Sequence, residues 1–279
     1  MRLGDLEFLV LTDGTLKLDG GAMFGVVPKP MWEKKARADE RNRITLAMNC
    51  LLIRAAGKTI LVETGAGDKW DAKHRDIYAL EGSPRLPGQL AQHGVKPENV
   101  DIVINTHLHF DHCGWDTRDT NGKMRPTFPN AKYVVQKKDF EHAKKPTERD
   151  RASYVLDNYV PVEEAKQWEL LEGEKQIAPG VSVFPAPGHT PAMQCLKLEG
   201  GGKTAIFLAD LVPTAAHLPL AWIMGFDLFP LTTLENKKKI LPQIAKNDWL
   251  ALFAHDTTVR AAHLRERGGQ FEVEPVPVD

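Results

Sequence analysis

Residues 105–112 of this 279-residue chain read Asn-Thr-His-Leu-His-Phe-Asp-His, directly after an apolar stretch that is typical of a buried strand. His107 and His109 are two positions apart, so on an extended segment both side chains point the same way and can bind one ion together. Asp111 and His112 lie past the expected turn and can face a second ion. Imidazole and carboxylate are ligands that divalent transition metals favour, so the run predicts a metal site.

Three later residues of the same chemical types also follow apolar stretches. His189 lies in a Pro-Gly-His-Thr-Pro turn whose prolines fix the backbone, and Asp210 and His255 each follow an expected strand. Alone, each would be an ordinary loop residue, but with the histidine run they complete a set that suits two ions. We predict that His107, His109 and His189 hold one ion, that Asp111, His112 and His255 hold the other, and that Asp210 bridges them.

Composition and charge argue against several classes of protein. Hydrophobic residues make up 42% of the chain, enough for a sizeable core, and 36 basic residues nearly balance 37 acidic ones. Balanced charge gives no field to attract nucleic acid or an anionic membrane, so we expect neither as a partner. Cys50, Cys113 and Cys195 are widely spaced and odd in number, which predicts buried free thiols. The sequence shows no export signal or membrane-spanning stretch, so we expect a cytoplasmic protein.

Strands and helices are expected in two successive blocks, each with strands before a helix. The expected strands are 6–12 and 15–18, joined as a hairpin by Asp13-Gly14, then 44–53, 58–62, 100–104, 132–136, 181–184, 194–198, 204–208 and 249–254. The expected helices are 86–93, 137–145, 233–244 with Thr232 or Thr233 as N-cap, and 258–267, while 152–168 should be helical in pieces. This order suits two sheets between helices. We expect one domain over residues 1–279, with residues 1–42 as an N-terminal hairpin and a pocket or interface loop.

The predicted ligands together resemble the hallmark of the metallo-β-lactamase-fold superfamily. That hallmark is a His-x-His-x-Asp-His run, a Gly-His turn, an aspartate after a strand and a late histidine, here 107–112, Gly188-His189, Asp210 and His255. The resemblance implies an α/β fold, the αββα metallo-β-lactamase sandwich of two mixed β-sheets flanked by helices, with a dinuclear metal site at one edge. The family usually carries Asp in the turn after an early strand, where this chain has Glu63.

Within the superfamily the chain is similar to the lactonase and methyl-parathion-hydrolase-like branch. Residues 209–217, with the following Trp222 and Phe226-Asp227, resemble the apolar pocket wall of those members. Acyl-homoserine lactonases usually carry Tyr three positions after the bridging Asp, and this chain has Pro213 there. The departure favours a hydrolase of other lactones or esters, with His217 as a replacement for the missing hydroxyl.

The resemblance implies a hydrolase in which two divalent ions share an activated hydroxide that attacks a lactone or ester. Zinc is expected first, with iron, manganese and cobalt as alternatives. The predicted catalytic residues are Asp111, Asp210 and His217, and Asp210 is expected to return a proton to the leaving group. Partners for the outer nitrogens of the ligating imidazoles are expected among Glu63, Thr64, Thr190 and Asp256. Cys113, beside His112, is expected to be a small buried thiol and no ligand.

The expected substrate is a small ester or lactone bound in an apolar pocket. The candidate lining residues are Met23, Phe24, Trp115, Trp222, Ile223, Met224 and Phe226, and the apolar N-terminal loop is also a candidate homodimer contact. Two alternative activities are hydrolysis of organophosphate triesters and a glyoxalase II-like thioesterase reaction. From another class, an iron-dependent oxidoreductase of thiols or persulfides is a further alternative.

Overall fold

The computed structural model describes residues 1–80 and 85–278. Its strands β1 to β16 are Arg2–Leu3, Leu6–Asp19, Arg43–Ala55, Lys58–Val62, Ile102–Ile104, Thr117–Thr120, Lys123–Pro126, Lys132–Gln136, Trp168–Leu171, Lys175–Ala178, Val181–Pro185, Gln194–Gly200, Lys203–Phe207, Leu250–Leu252, Ala261–Arg267 and Gln270–Pro275. Its helices α1 to α7 are Gly20–Phe24, Lys29–Trp32, Ala72–Tyr78, Leu86–Gln92, Lys137–Lys144, Val160–Glu164 and Pro230–Lys246. The first sheet has seven strands in the order β1-β2-β3-β4-β5-β8-β9, the second runs in order from β10 to β16, and β6 pairs with β7.

The central strands of the first sheet are buried on both faces. In β3, Leu51 and Ile53 enter the core between the two sheets, whereas Leu52 enters a second core on the opposite face. Side chains alternate between the faces of a strand. A segment that is apolar at nearly every position therefore fits a strand that is covered on both sides.

Helices cover the sheets from outside. Leu86 and Leu90 of α4 pack in the outer core of the first sheet. Leu241 and Ile244 of α7 pack with residues of the second sheet. The predicted αββα arrangement of two mixed sheets flanked by helices is confirmed. Among the described residues, no helix is both long enough and apolar enough to span a membrane.

Residues 6–18 do not form the predicted hairpin. β2 is one strand of 14 residues, and it pairs with β3 on both sides of a register shift at Asp13-Gly14. The bulge adds one residue to β2, and the buried Asp13 carboxylate accepts hydrogen bonds there from the Gly67 amide and the Trp115 indole. The turn signal in the sequence thus marks a β-bulge inside a strand.

Residues 258–267 were predicted as a helix, and this prediction is wrong. Ala261–Arg267 is β15, which pairs with β14 on one edge and β16 on the other. The apolar residues Ala261, Ala262 and Leu264 are compatible with either period over so short a stretch. Pairing on both edges decides for the strand.

Two predicted helical regions are confirmed only in outline. The helix predicted at 233–244 is α7, but it begins at Pro230 with Phe229 as the N-cap residue, in place of Thr232 or Thr233. Proline is favoured in the first turn, where its missing N–H costs nothing. Within 152–168 the structure has short 3-10 turns and α6, followed directly by β9.

The loops that carry the predicted ligands lie at one edge of the sandwich, where the two sheets are joined. The 107–112 run follows β5, and the other three ligands follow β11, β13 and β14. The backbone amide of Ala47 in β3 donates to the carbonyl of His255 at 3.0 Å. The amide of Gln194 in β12 donates to the carbonyl of Thr106 at 3.0 Å. Each sheet therefore fixes a ligand loop of the other.

Candidate metal centre

The seven predicted ligands lie together in three overlapping groups. Within each group, one nitrogen or carboxylate oxygen per residue lies within 4.8 Å of the others. The groups are His107 with His109 and His189, His107 with His112 and Asp210, and Asp111 with His112 and His255. All seven residues are buried. The structure thus brings the whole predicted set together, and its binding of ions stays a prediction.

The loop after β5 is closed by buried polar groups. The Asp116 carboxylate accepts a hydrogen bond from Thr64 Oγ1 at 2.8 Å and one from Asn105 Nδ2 at 3.3 Å. The backbone amide of Thr64 donates to the carbonyl of His112 at 2.7 Å. These contacts hold both ends of the loop, so its four candidate ligands face the same space.

The ligands of the second sheet sit on turns with unusual backbone geometry. Gly188, before His189, has a φ of +143°, and a Cβ there would lie 2.2 Å from Thr233 Oγ1. Ala209, before Asp210, has a φ of 47°, in the left-handed region that side chains rarely adopt. The close packing at Gly188 and the left-handed backbone at Ala209 therefore set the backbone positions of His189 and Asp210.

Within the described residues, four of the five imidazoles of the candidate centre have a partner at the nitrogen that points away from it. The Nδ1 contacts are His107 with Thr106 Oγ1 at 3.0 Å, His112 with Glu63 Oε2 at 3.2 Å, His189 with Asp227 Oδ1 at 3.0 Å and His255 with the Ala47 carbonyl at 2.7 Å. Such partners fix the tautomer and the orientation of a metal-binding imidazole. The arrangement leaves the Nε2 atoms of these four rings to face the centre.

Burial and neighbouring charges shift pKa values in opposite directions across the centre. Burial and the adjacent imidazoles lower the pKa of His107 and His109 well below the usual value. Burial also disfavours the charged form of His112, but nearby carboxylates, Asp111 first, outweigh it and raise the pKa. For Asp210, burial raises the pKa, but the surrounding imidazoles outweigh burial and hold the pKa well below its usual range.

The donor atoms of the centre fit divalent metal ions. His189 Nε2 lies 3.0 Å from His109 Nδ1, and His255 Nε2 lies 3.2 Å from His112 Nε2, so nitrogen atoms converge in pairs. His107 Nε2 and Asp210 Oδ1 are buried and make no hydrogen bond within the described part of the chain. Converging imidazole nitrogens and a carboxylate form the donor set that zinc and similar ions use.

His217, a predicted catalytic residue, is held on both sides of its ring. Its Nε2 donates to the carbonyl of Met23 at 2.8 Å, and its Nδ1 lies 2.8 Å from the Thr214 hydroxyl. Burial lowers the pKa of His217 to about 4, and the ring stacks on Phe24 with centroids 4.5 Å apart. Neither nitrogen is left to hold a substrate oxygen in this arrangement. The catalytic role of His217 stays a prediction that this geometry does not support.

Of the four residues expected behind the imidazoles, only Glu63 contacts an outer nitrogen. The Thr64 hydroxyl instead donates to Asp116, and the Thr190 hydroxyl donates to Asp139. Asp256 accepts from the backbone amides of Ala215, Thr258 and Val259, so it caps a turn. The side chains of Thr64, Thr190 and Asp256 therefore bind other carboxyl and backbone groups.

Five of the seven apolar residues expected to line the pocket lie in or against two buried clusters. Met23, Phe24 and Met224 share a buried cluster with Phe110 of the ligand loop, with Trp222 packed against it. Trp115, predicted to line the same pocket, packs instead in the outer core of the first sheet. The three free cysteines are buried, as expected, and burial raises the pKa of Cys113 well above the usual value.

Three buried charged residues, Asp139, Asp227 and Lys237, have no role in the metal centre that the sequence predicts. Asp227, expected only in the pocket wall, is the partner of His189. Asp139, in the first turn of α5, accepts from the Thr190 hydroxyl next to His189. Lys237 of α7 is fully buried. An aspartate between apolar residues, such as Asp227 between Phe226 and Leu228, was the available signal.

A profile of the metallo-β-lactamase superfamily matches residues 45–255 of the chain. The match includes all seven residues of the cluster. The chain belongs to the metallo-β-lactamase superfamily. The predicted family is therefore confirmed, together with the two-sheet fold that it implies.

Known members of this superfamily that the chain resembles include lactonases. The N-acyl homoserine lactonase of Bacillus cereus is 26% identical over 232 residues, which cover 77% of this chain and 83% of the relative. The crystal structure of a probable metal-dependent hydrolase from Staphylococcus aureus has a TM-score of 0.92 over 99% of both chains, at 29% identity. AidC, a dizinc quorum-quenching lactonase, has a TM-score of 0.83 over 99% of this chain and 96% of its own, and at 22% identity it shows the shared fold. The prediction of a lactonase-related hydrolase is confirmed by these relatives.

Proposed function

We propose that this protein is a dinuclear metal-dependent hydrolase that opens lactone rings or cleaves related esters. The observation that carries the proposal is the convergence of five imidazoles and two carboxylates in one buried centre. The lactonases among its relatives support the same reaction class. Two divalent ions held there, zinc first, would supply Lewis acidity toward a carbonyl oxygen and an activated water.

In this proposal Asp210 joins the two halves of the centre. Its carboxylate lies 3.2 Å from His189 Nε2 on one side and 3.1 Å from His255 Nε2 on the other. His107, His109 and His189 would hold one ion, and Asp111, His112 and His255 the other. The Oδ1 atom of Asp210 would then accept a proton during attack and return it to the leaving alkoxide.

The remaining side chains near the centre would bind and orient the substrate. The buried cluster of Met23, Phe24, Met224 and Phe110 would support an apolar wall for the substrate's hydrocarbon part, and the partly exposed Trp222 that packs against the cluster would belong to its surface. Pro213 offers no hydroxyl where the resembled lactonases carry Tyr, so the carbonyl oxygen would depend on the metal ions. We assign His217 to holding this wall in place, because its ring nitrogens contact Met23 and Thr214.

A substrate panel on metal-reconstituted protein tests the proposal. Metal-free protein is loaded with zinc, manganese or cobalt and assayed with γ- and δ-lactones, an acyl-homoserine lactone, aryl esters, a phosphotriester and a thioester. We expect hydrolysis of lactones or aryl esters that is lost on chelation and restored by metal. Hydrolysis confined to the phosphotriester or the thioester would support one of the two alternative hydrolases. No hydrolysis of any substrate, together with one iron per chain in protein from unsupplemented cells, would favour the thiol or persulfide oxidoreductase.

A further inference from the structure

A lysine in the interior of the protein has no part in the chemistry described above. Lys237, in the middle of α7, has 0% of its surface exposed. Its Nζ donates to the backbone carbonyls of His217 at 2.6 Å, Pro219 at 2.8 Å and Trp222 at 2.9 Å. An ammonium has three donors, so all of them are used on one short stretch of backbone.

That stretch is the middle of a loop, residues 213–228, whose two ends are fixed to the metal centre. At one end, the backbone amide of His255 donates to the carbonyl of Pro213 at 2.9 Å. At the other end, the amide of Leu228 donates to the carbonyl of His189 at 3.2 Å. Lys237 therefore holds the centre of a loop that is anchored at two proposed ligands.

The 213–228 loop contributes to the apolar wall beside the centre. The ring of His217 stacks on Phe24, and the ring of Trp222 meets Phe24 edge-on with centroids 5.7 Å apart. Phe24 belongs to the same buried cluster as Phe110, which stands between two ligands of the 107–112 run. The position of residues 217–222 thus sets the position of the wall.

Burial of an ammonium group to hold a loop is unfavourable in free energy. Removal from water disfavours the charged form of the amine. Burial lowers the pKa of Lys237 to about 7, and the Asp227 carboxylate, which raises this pKa, offsets the effect of burial only in part. An apolar side chain would avoid that cost but would leave three carbonyls without this donor. The three hydrogen bonds of Lys237 fix the conformation of the loop, and this accounts for a lysine at a buried position.

We propose that Lys237 is a positioning residue that sets the shape of the substrate pocket through the 213–228 loop, and so sets the affinity for substrates with an apolar chain. This inference rests on the proposed hydrolase function for its kinetic part. Lys237 itself is not one of the seven proposed ligands and acts through the backbone carbonyls of the 213–228 loop. Its loss is expected to change how tightly a chain is bound and to leave the chemical step in place.

The kinetic test compares Lys237→Met with Lys238→Met. Lys238 is the next residue on α7, but it is exposed and pairs with Glu235, so it serves as the matched control. For a lactone with a long acyl chain, we expect Lys237→Met to raise KM about tenfold or more, with kcat changed by less than about twofold. For a lactone without a side chain, KM should stay within about twofold. Lys238→Met should match the wild type. Loss of bound metal, or an equal fall in kcat for both lactones, would assign Lys237 a purely structural role and overturn the proposal.

Hydrogen exchange tests the loop without any substrate. In zinc-loaded Lys237→Met, amides of residues 213–228 should exchange faster than in the wild type, while amides of residues 105–116 stay unchanged. Unchanged exchange in 213–228 would overturn the proposal even if the kinetics differ. Because this measurement needs no turnover, it also decides the role of Lys237 if no lactone is a substrate. If Lys237→Met does not fold, Lys237→Gln, which keeps two donors, is measured in the same way and judged by the same outcomes.

Discussion

Four of the seven proposed ligands sit on one loop of the first sheet, whereas the other three follow three different strands of the second sheet. The single loop is closed by side chains at the ends of two strands of its own sheet, with Thr64 and Asn105 donating to Asp116. The ligands of the second sheet depend on distant parts of the chain. His255 Nδ1 donates to the carbonyl of residue 47, and His189 is held by Asp227.

The difference teaches that four ligands are brought together by one continuous loop, whereas three are assembled from separate strands. Asp227 accepts from the Thr233 hydroxyl of α7 at 2.5 Å, so the orientation of His189 depends on a helix that carries no ligand. On the side of the second sheet, residues of elements that carry no ligand should therefore also affect the centre.

The largest effect is expected for Asp210→Asn, because Asp210 contacts both halves. The amide removes the bridging charge and the proton acceptor, so lactone hydrolysis should fall about 10³-fold. Bound metal, measured by elemental analysis, should fall below two ions per chain. Asp248→Asn, at an exposed carboxylate paired with Arg265, is the control and should leave both quantities unchanged. Retention of a tenth of the activity by Asp210→Asn would contradict the bridging role.

The next effect concerns the carboxylates behind the imidazoles, one on each side. In Glu63→Gln and Asp227→Asn, the amide NH₂ can donate to Nδ1 of the ring, which moves the ring proton to the nitrogen that faces the centre. Zinc affinity, measured by competition with a chromogenic chelator, should fall about 10- to 100-fold in each variant. Glu63→Asp, which restores the residue usual in the family, is the control and should lose less. Equal affinity in wild type and both amide variants would show that these contacts do not orient the rings.

A smaller, structural effect is expected at the His189 turn. Gly188→Ala places a Cβ 2.2 Å from Thr233 Oγ1 and strains a φ of +143°. The free energy of unfolding should drop by about 1–3 kcal/mol in urea denaturation. Gly88→Ala is the matched control, because its Cβ would meet no atom within 4 Å, and it should stabilise the protein by up to about 1 kcal/mol. A Gly188→Ala variant as stable as the wild type would contradict the tight packing of this turn.

The same contrast explains how much could be predicted from the sequence. The 107–112 run, the Gly-His turn, Asp210 and His255 were found because each follows an apolar strand and has a metal-binding side chain. The partner of His255 is a backbone carbonyl, which leaves no trace in residue type. The role of Lys237 depends on the path of residues 217–222, and a lysine in a helix otherwise indicates an exposed face. The Asp13-Gly14 bulge was misread because turn and bulge use the same residues.

The smallest effect is a change of stability with pH that is specific to Lys237. Its pKa is lowered from 10.5 to about 7 in the folded protein, and Asp227 and His217 are the titratable groups that interact with it. Between about pH 7 and pH 10.5 the unfolded chain binds more protons, so the lysine's contribution to stability rises with pH. The stability of the wild type minus that of Lys237→Met should therefore be flat below about pH 7 and increase from pH 7 to pH 9. Urea unfolding of both proteins at fixed excess zinc measures this difference in stability. A difference that shrinks from pH 7 to pH 9 would contradict the lowered pKa of Lys237.

The measurement that tests the central claim most directly is a zinc titration of metal-free protein, with lactone hydrolysis recorded at each addition. The seven buried donors predict that activity keeps rising until two ions are bound per chain and then reaches a plateau. Full activity at one ion per chain, or activity that does not depend on added metal, would contradict a dinuclear centre.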